Sequence, residues 1–233
     1  MLYICIAFAM IVPYFICSIN PAIIAAKIKS GKDIREMGSG NPGLTNVLRT
    51  MGKKAAAIVL LFDVLKGVIS ILLVSGFYHL FWAQMTNPFT VDFLFPGIVA
   101  ERFYSLVLWI ASLSAVLGHC YPIYYKFKGG KAVLVTVATG LVINWLAALI
   151  ALVLFIIIVS LSKYVSLGSI IAAALYPVCV GFTEHNMRQS EYSYSYMGVI
   201  LSSAIAGLLI FKHRGNIKRL LNGTEKKLGK KSE

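Results

Sequence analysis

Apolar runs without a single Lys, Arg, Asp or Glu dominate the chain: residues 2–26, 55–62, 67–91, 103–125, 132–162, 164–183 and 192–211. Several reach the roughly 20 residues that a membrane-spanning helix needs. Single helices are predicted near 2–25, 55–78, 103–118, 164–183 and 195–212. The number of crossings in 132–162 depends on where the flanking charges lie. Short polar segments rich in Gly, Asn, Lys and Arg separate the runs.

Composition removes most other classes. With 58% hydrophobic and 13% charged residues and a mean hydropathy of +0.79, a water-soluble globule and a disordered chain are both excluded. The four cysteines, Cys5, Cys17, Cys120 and Cys179, mostly fall in apolar runs and are expected to pack without bridging. No positive residue precedes the first run, which is therefore expected to be a retained helix instead of a cleaved leader.

Charge supplies the topology. Seven of the Lys and Arg lie in residues 27–54, three in 126–131, one at Lys163 and eight from Lys212 to Lys231, leaving Lys66, Arg102 and Arg188. Cytoplasmic loops collect Lys and Arg, so these clusters define the inner face, with Arg102 and Arg188 on the outer one. Asp92, Glu101, Glu184 and Glu191 also fall outside. A single helix over 131–163 would send Lys163, and by parity the basic tail, to the wrong side. A hairpin repairs this, with helices near 132–146 and 148–162 turning near Asn144. Its uncharged residues extend roughly 46 Å at 1.5 Å each, less than two crossings of a ~30 Å hydrocarbon core, so both helices must be short.

The prediction is an all-α, polytopic integral membrane protein with seven transmembrane helices, the amino terminus outside and the carboxyl terminus cytoplasmic. Residues 1–233 form one membrane-embedded domain with a basic tail at 213–233. The basic residues flank membrane spans and no nucleic-acid-binding motif accompanies them, so no nucleic-acid partner is expected. Membrane lipids and phosphorylated small molecules suit the charge.

Three inner-face segments carry candidate chemistry. The first contains Ser39, Gly40, Asn41, Gly43, Thr45, Asn46 and Arg49. Its glycines let backbone N–H groups turn toward an anion, and Arg49 is placed to clamp one. A dinucleotide-binding reading of its G-x-G-x-x-G match fails because a membrane helix, not a strand, precedes it. The second, Lys128, Gly129, Gly130 and Lys131, is a glycine pair flanked by lysines at a helix start; it is either a phosphate cradle or a snorkelling interfacial belt. In the third, His213 and Asn216 fall one turn apart on a helix, followed by Arg219. Within the membrane, Asp63 and Lys66 at i and i+3 neutralise each other in a structural or site-lining role.

Together these segments resemble the bacterial acyl-phosphate:glycerol-3-phosphate acyltransferases, the PlsY family. The resemblance runs from Ser39 to Arg49, through Asp63, Lys66 and Gly67, then Gly118, His119, Pro122 and Phe127 to Lys131. It continues with Lys163, Ser166 and Ser169, and with His213, Asn216, Arg219, Gly223 and Glu225. It implies an enzyme of the bacterial cytoplasmic (inner) membrane that acylates the primary hydroxyl of glycerol 3-phosphate from acyl phosphate, giving lysophosphatidic acid, with no cofactor and no metal.

Under this resemblance the glycine-rich loop holds the acyl phosphate, while Arg49, Lys128 or Lys131, Ser166 and Asn216 orient glycerol 3-phosphate. Either His213 accepts the hydroxyl proton, or a substrate phosphate does while His213 donates an orienting hydrogen bond. His119 is read as structural. The chain departs from the family at Ala132 and Gly215, where glycine and glutamate are usual, and at Leu134 and Val135, where the family carries a small residue followed by threonine. The competing readings are a small secondary transporter or channel, for which no inverted repeat is evident, and a diverged paralogue that binds lipid phosphate without turnover.

Overall fold

The computed structural model describes residues 2–84, 100–187 and 196–228. The predictions for Asp92, Glu101, Arg102, Arg188 and Glu191 and for Lys230 and Lys231 fall outside the described residues and side chains. The elements are α1 (Leu2–Ser18), α2 (Pro21–Ser30), α3 (Leu44–Met51), α4 (Lys53–Gln84), α5 (Ala100–Cys120), α6 (Val133–Ile143), α7 (Trp145–Ser162), α8 (Val165–Met187), α9 (Tyr196–Lys212) and α10 (Arg214–Leu221). Short 3-10 turns lie at Ile34–Glu36 and Ile123–Tyr125.

The first predicted helix is in fact two. Pro21 has no N–H and pushes Asn20 out of the helical region, to φ −108 and ψ 103. Asn20 Oδ1 then accepts from the Ala22 and Ile23 N–H groups and starts α2. The break frees the Ile19 carbonyl, which accepts the Lys66 ammonium at 2.8 Å.

The hairpin turns where expected: the Asn144 side chain accepts from the Ala147 N–H at 3.1 Å and caps α7. Among the described residues, five stretches are long and apolar enough to cross a membrane, and α9 with α10, bent by 56°, makes a sixth. The α6 helix, with 11 residues, is about 16 Å long, half a hydrocarbon core.

Contacts between chain ends show how the bundle folds. The Leu228 N–H donates to the Lys163 carbonyl (2.7 Å), Lys131 Nζ to Asn216 Oδ1, and Lys212 Nζ to the Cys120 carbonyl (3.1 Å). The starts of α6 and α8 and the ends of α5, α7 and α9 therefore share one end of the molecule, and α6 and α7 go out and back. Beneath that end lies a core built on Trp109, Cys120, Val135, Tyr176 and Ile205, while Ile23, Ile34, Val47 and Val59 seat α3 against α2 and α4. Cys5, Cys17, Cys120 and Cys179 are unbridged.

Candidate active site

At this shared end the three polar segments enclose a cavity of about 620 Å³. Its first wall is the loop leading into α3. Gly38 has φ +58, and a Cβ there would lie 2.3 Å from Asn46 Oδ1, so both the turn and the close approach require glycine. Asn46, almost fully buried, braces the loop: its Oδ1 accepts from the Ser39 N–H (2.9 Å) and its Nδ2 donates to the Met37 and Ile34 carbonyls. The α3 amino terminus at Gly43 has no side-chain cap and faces the cavity with Leu44 and Thr45. An uncapped helix start, whose first N–H groups have no intrahelical acceptor and lie at the positive end of the helix dipole, suits an anion. Arg49, in the second turn of α3, donates from Nη2 to the Lys226 carbonyl (3.1 Å), and its Nε is buried without a hydrogen-bond partner among the described residues.

The second wall is the loop between α5 and α6. Here the glycines close onto the end of α5: the Gly129 N–H donates to the Cys120 carbonyl (3.3 Å) and the Gly130 N–H to the His119 carbonyl (3.1 Å). A Cβ on Gly129 would lie 2.1 Å from the His119 carbonyl oxygen. Lys131, directly after, lines the cavity. Burial pushes its ammonium down to about 8, reinforced by Arg219, Lys212 and Arg49 and opposed by Glu225.

The third wall comes from α8 and from the bend between α9 and α10. His213, buried at that bend, contacts the Leu209 carbonyl through Nδ1 at 2.8 Å. A carbonyl only accepts, so Nδ1 carries the proton and Nε2 is left as an acceptor. Burial, with help from the Lys131 charge, pushes His213 down to about 4, so the ring is neutral near pH 7. Glu225 gathers Ser166 Oγ (2.8 Å), Asn216 Nδ2 (2.7 Å) and Arg219 Nε (2.7 Å). Burial raises the Glu225 carboxyl, but these donors outweigh it and hold the group below the usual carboxylate range. Deeper in, Lys66 Nζ lies 2.8 Å from Asp63 Oδ1 and 3.0 Å from His119 Nδ1, and Asp63 and His119 face the cavity.

A family model for glycerol-3-phosphate acyltransferase matches residues 7–223. The chain belongs to the glycerol-3-phosphate acyltransferase family. It is 37% identical to the glycerol-3-phosphate acyltransferase of Clostridioides difficile, covering 96% of this chain and 95% of that protein. Against the Thermoanaerobacter pseudethanolicus protein of the same name the figures are 40%, 96% and 96%. Two crystal structures of PlsY, an integral membrane glycerol 3-phosphate acyltransferase, superimpose over 96% of the chain. The glycerol 3-phosphate form gives a TM-score of 0.74 at 31% identity, and the lysophosphatidic acid form 0.70 at 30%.

Of the residues predicted for this acyltransferase site, Ser39, Asn41, Gly43, Thr45, Asn46, Arg49, Gly129, Lys131, Ser166, His213 and Asn216 line the cavity. Gly40, Lys128 and Gly130 do not. Gly40 turns the loop at φ +71, Gly130 packs against the His119 ring, and the Lys128 side chain is exposed while its carbonyl accepts from Arg35 Nη1 at 3.3 Å. Glu225, Lys212 and Lys226 also line the cavity; the sequence reading counted Glu225 among the residues that carry the resemblance but gave none of the three a role in the site. The available signal was Glu225 itself, the only acidic residue among the basic ones between Lys212 and Lys231.

Proposed function

We propose that this chain transfers a fatty acyl group from acyl phosphate to the primary hydroxyl of glycerol 3-phosphate. The observation that carries this reading is one cavity, at one end of a membrane bundle, that collects Arg49, Lys131 and an uncapped helix start beside a neutral histidine. Two phosphorylated substrates need two sets of anion donors beside one acyl carbon. The α3 amino terminus with Ser39, Asn41, Gly43 and Thr45 holds the acyl phosphate. Arg49, Lys131, Ser166 and Asn216 hold glycerol 3-phosphate, and the apolar lining at Leu134, Phe155 and Val165 suits the acyl chain.

The hydroxyl oxygen attacks the acyl carbonyl and forms the ester. The carbonyl–phosphate bond breaks, its electron pair leaves with the phosphate, and the hydroxyl proton ends on that phosphate. With its Nδ1 proton committed to Leu209, His213 receives the hydroxyl's hydrogen bond on Nε2. Preorganised donors and alignment supply most of the rate enhancement.

The clustering of Lys and Arg also supports the finer topology: seven crossings with the short α6 counted, the amino terminus outside, and the site on the cytoplasmic face of the bacterial inner membrane. The test is purified protein in detergent or lipid mesophase given palmitoyl phosphate and glycerol 3-phosphate. Phosphate and lysophosphatidic acid should appear in equal amounts, and Arg49→Ala should remove about 99% of kcat/KM, as expected for a lost charge-assisted phosphate contact. Folded protein that yields no product with any acyl phosphate overturns the assignment.

A further inference from the structure

The segment after α10 does not leave the site. It lines the cavity with Thr224, Glu225 and Lys226, and it is anchored on both sides. The Lys226 carbonyl accepts from Arg49, the Leu228 N–H donates to the Lys163 carbonyl, and Lys227 Nζ lies 5.5 Å from the centre of the Tyr164 ring. Glu225 is the only residue of this strap whose side chain turns inward into a set of donors: its side chain is 8% exposed, against 46% for its partner Arg219.

The hydrogen bonds fix a direction of influence. A carboxylate only accepts, so the Asn216 group facing Glu225 must be the Nδ2 donor. The Asn216 carbonyl oxygen is thereby turned the other way, where it accepts from Lys131 Nζ. Reversing the amide would set Oδ1 against the carboxylate and Nδ2 against the ammonium, two repulsive contacts. We propose that Glu225 is the positioning residue of the glycerol 3-phosphate subsite: it fixes Ser166 and Arg219 directly and, through Asn216, aims the Lys131 ammonium at the substrate phosphate. The inference rests on the assignment of that subsite above. Its physical content is that an acidic residue, which on charge alone would repel a phosphate, improves the grip on one by ordering the donors around it.

Glu225 is also the counter-charge that keeps Lys131 protonated. Lys131 is faced by Glu225 from the strap, Arg219 from α10, Lys212 and neutral His213 from the end of α9, and Arg49 from α3, so Glu225 is the one group opposing burial and three cations.

Steady-state kinetics of the full chain, with each substrate varied in turn, test this. Glu225→Gln keeps the shape but offers an amide where Asn216 needs a pure acceptor. It should raise KM for glycerol 3-phosphate about tenfold while KM for palmitoyl phosphate stays within about twofold. The alkaline limb of kcat/KM should move to lower pH, because Lys131 loses its counter-charge. Glu225→Asp keeps the charge at shorter reach and should restore the limb and part of the affinity; it carries the same comparison if the Gln variant does not fold.

Equal rises in both KM values, or an unmoved alkaline limb, overturn the inference. Lys131→Ala separates the two levels. If it leaves KM for glycerol 3-phosphate unchanged, the subsite assignment itself fails. If it raises that KM and Glu225→Gln does not, only the role of Glu225 fails.

Discussion

Two glycine-rich loops face each other across the cavity, and glycine does opposite work in them. In the loop from Gly38 to Gly43, glycine shapes a turn whose outcome is an uncapped helix start pointing at the cavity. In the loop from Phe127 to Lys131, glycine permits contact: the Gly129 and Gly130 N–H groups satisfy the last carbonyls of α5, and neither N–H is left for an anion. In the proposed site the first loop would serve through its main chain and the second through one side chain, Lys131. Similar composition therefore says little about which atoms meet the substrate. What decides is whether a neighbouring helix end is already using the N–H groups.

The strongest way to break this comparison is to add a methyl to each loop. Gly129→Ala would force Cβ to 2.1 Å from a backbone oxygen that cannot move without unwinding α5. A loss of about 3 kcal/mol of stability is expected, read as a large fall in Tm or in recoverable folded protein. Gly43→Ala meets only the flexible Asn41 side chain, at 2.9 Å, and should shift stability by less than about 1 kcal/mol. Equal Tm values for the two variants would remove the contact account of the second loop.

The next largest effect separates the two lysines. Lys131→Ala should lower kcat/KM for glycerol 3-phosphate about a hundredfold, the range for losing a charged hydrogen bond to phosphate, while exposed Lys128→Ala should stay within about twofold. The pH profile sharpens the point. Lys131, held down to about 8, is charged below that pH and neutral above it, so kcat/KM should fall as pH rises through 8. His213, held down to about 4, stays neutral across the same range and contributes no limb between 5 and 8. A second-phosphate ionisation of the substrates, near pH 6, is the expected source of any acid limb. In Lys131→Arg, whatever activity remains should lose the alkaline limb, since guanidinium does not titrate there. Comparable losses from Lys128→Ala and Lys131→Ala would contradict the division of labour.

Much of the fold was legible because charge sidedness and apolar run length are properties of the sequence alone. The hairpin at Asn144 followed from where Lys163 had to lie. The break at Asn20 was equally available, since Asn followed by Pro is a helix-start signal, but it lay inside an uninterrupted apolar run that masked it. The cavity was legible as three polar segments, which the fold brings together at one end of the bundle. Which lysine entered it was not, because Lys128 and Lys131 differ only in how α6 begins. Glu225 was named with the resemblance but given no role, because its partners, Ser166 and Asn216, lie 59 and 9 residues away and a basic tail gives no hint that it lines the cavity.

The smallest effect concerns Ala132, where the family usually has glycine. Ala132 sits at φ 58 and ψ 15, the left-handed region, immediately before α6. That conformation costs an alanine about 1–2 kcal/mol, which explains why glycine suits the position. The same methyl is nearly fully buried, 2% exposed, and burying one carbon contributes about 0.8 kcal/mol. Glycine would relieve the strain but lose that burial and gain about 0.4–1 kcal/mol of unfolded-state entropy. The opposing effects nearly cancel, so Ala132→Gly should change stability by less than about 1 kcal/mol and leave KM for both substrates near the parent values. Ala132→Val adds β-branching to the same backbone and should destabilise by about 2 kcal/mol or more. A large Tm gain in the glycine variant would mean that strain dominates and that the buried methyl contributes little. A tolerated valine would mean that the loop can leave the left-handed region, and with it the present aim of Lys131.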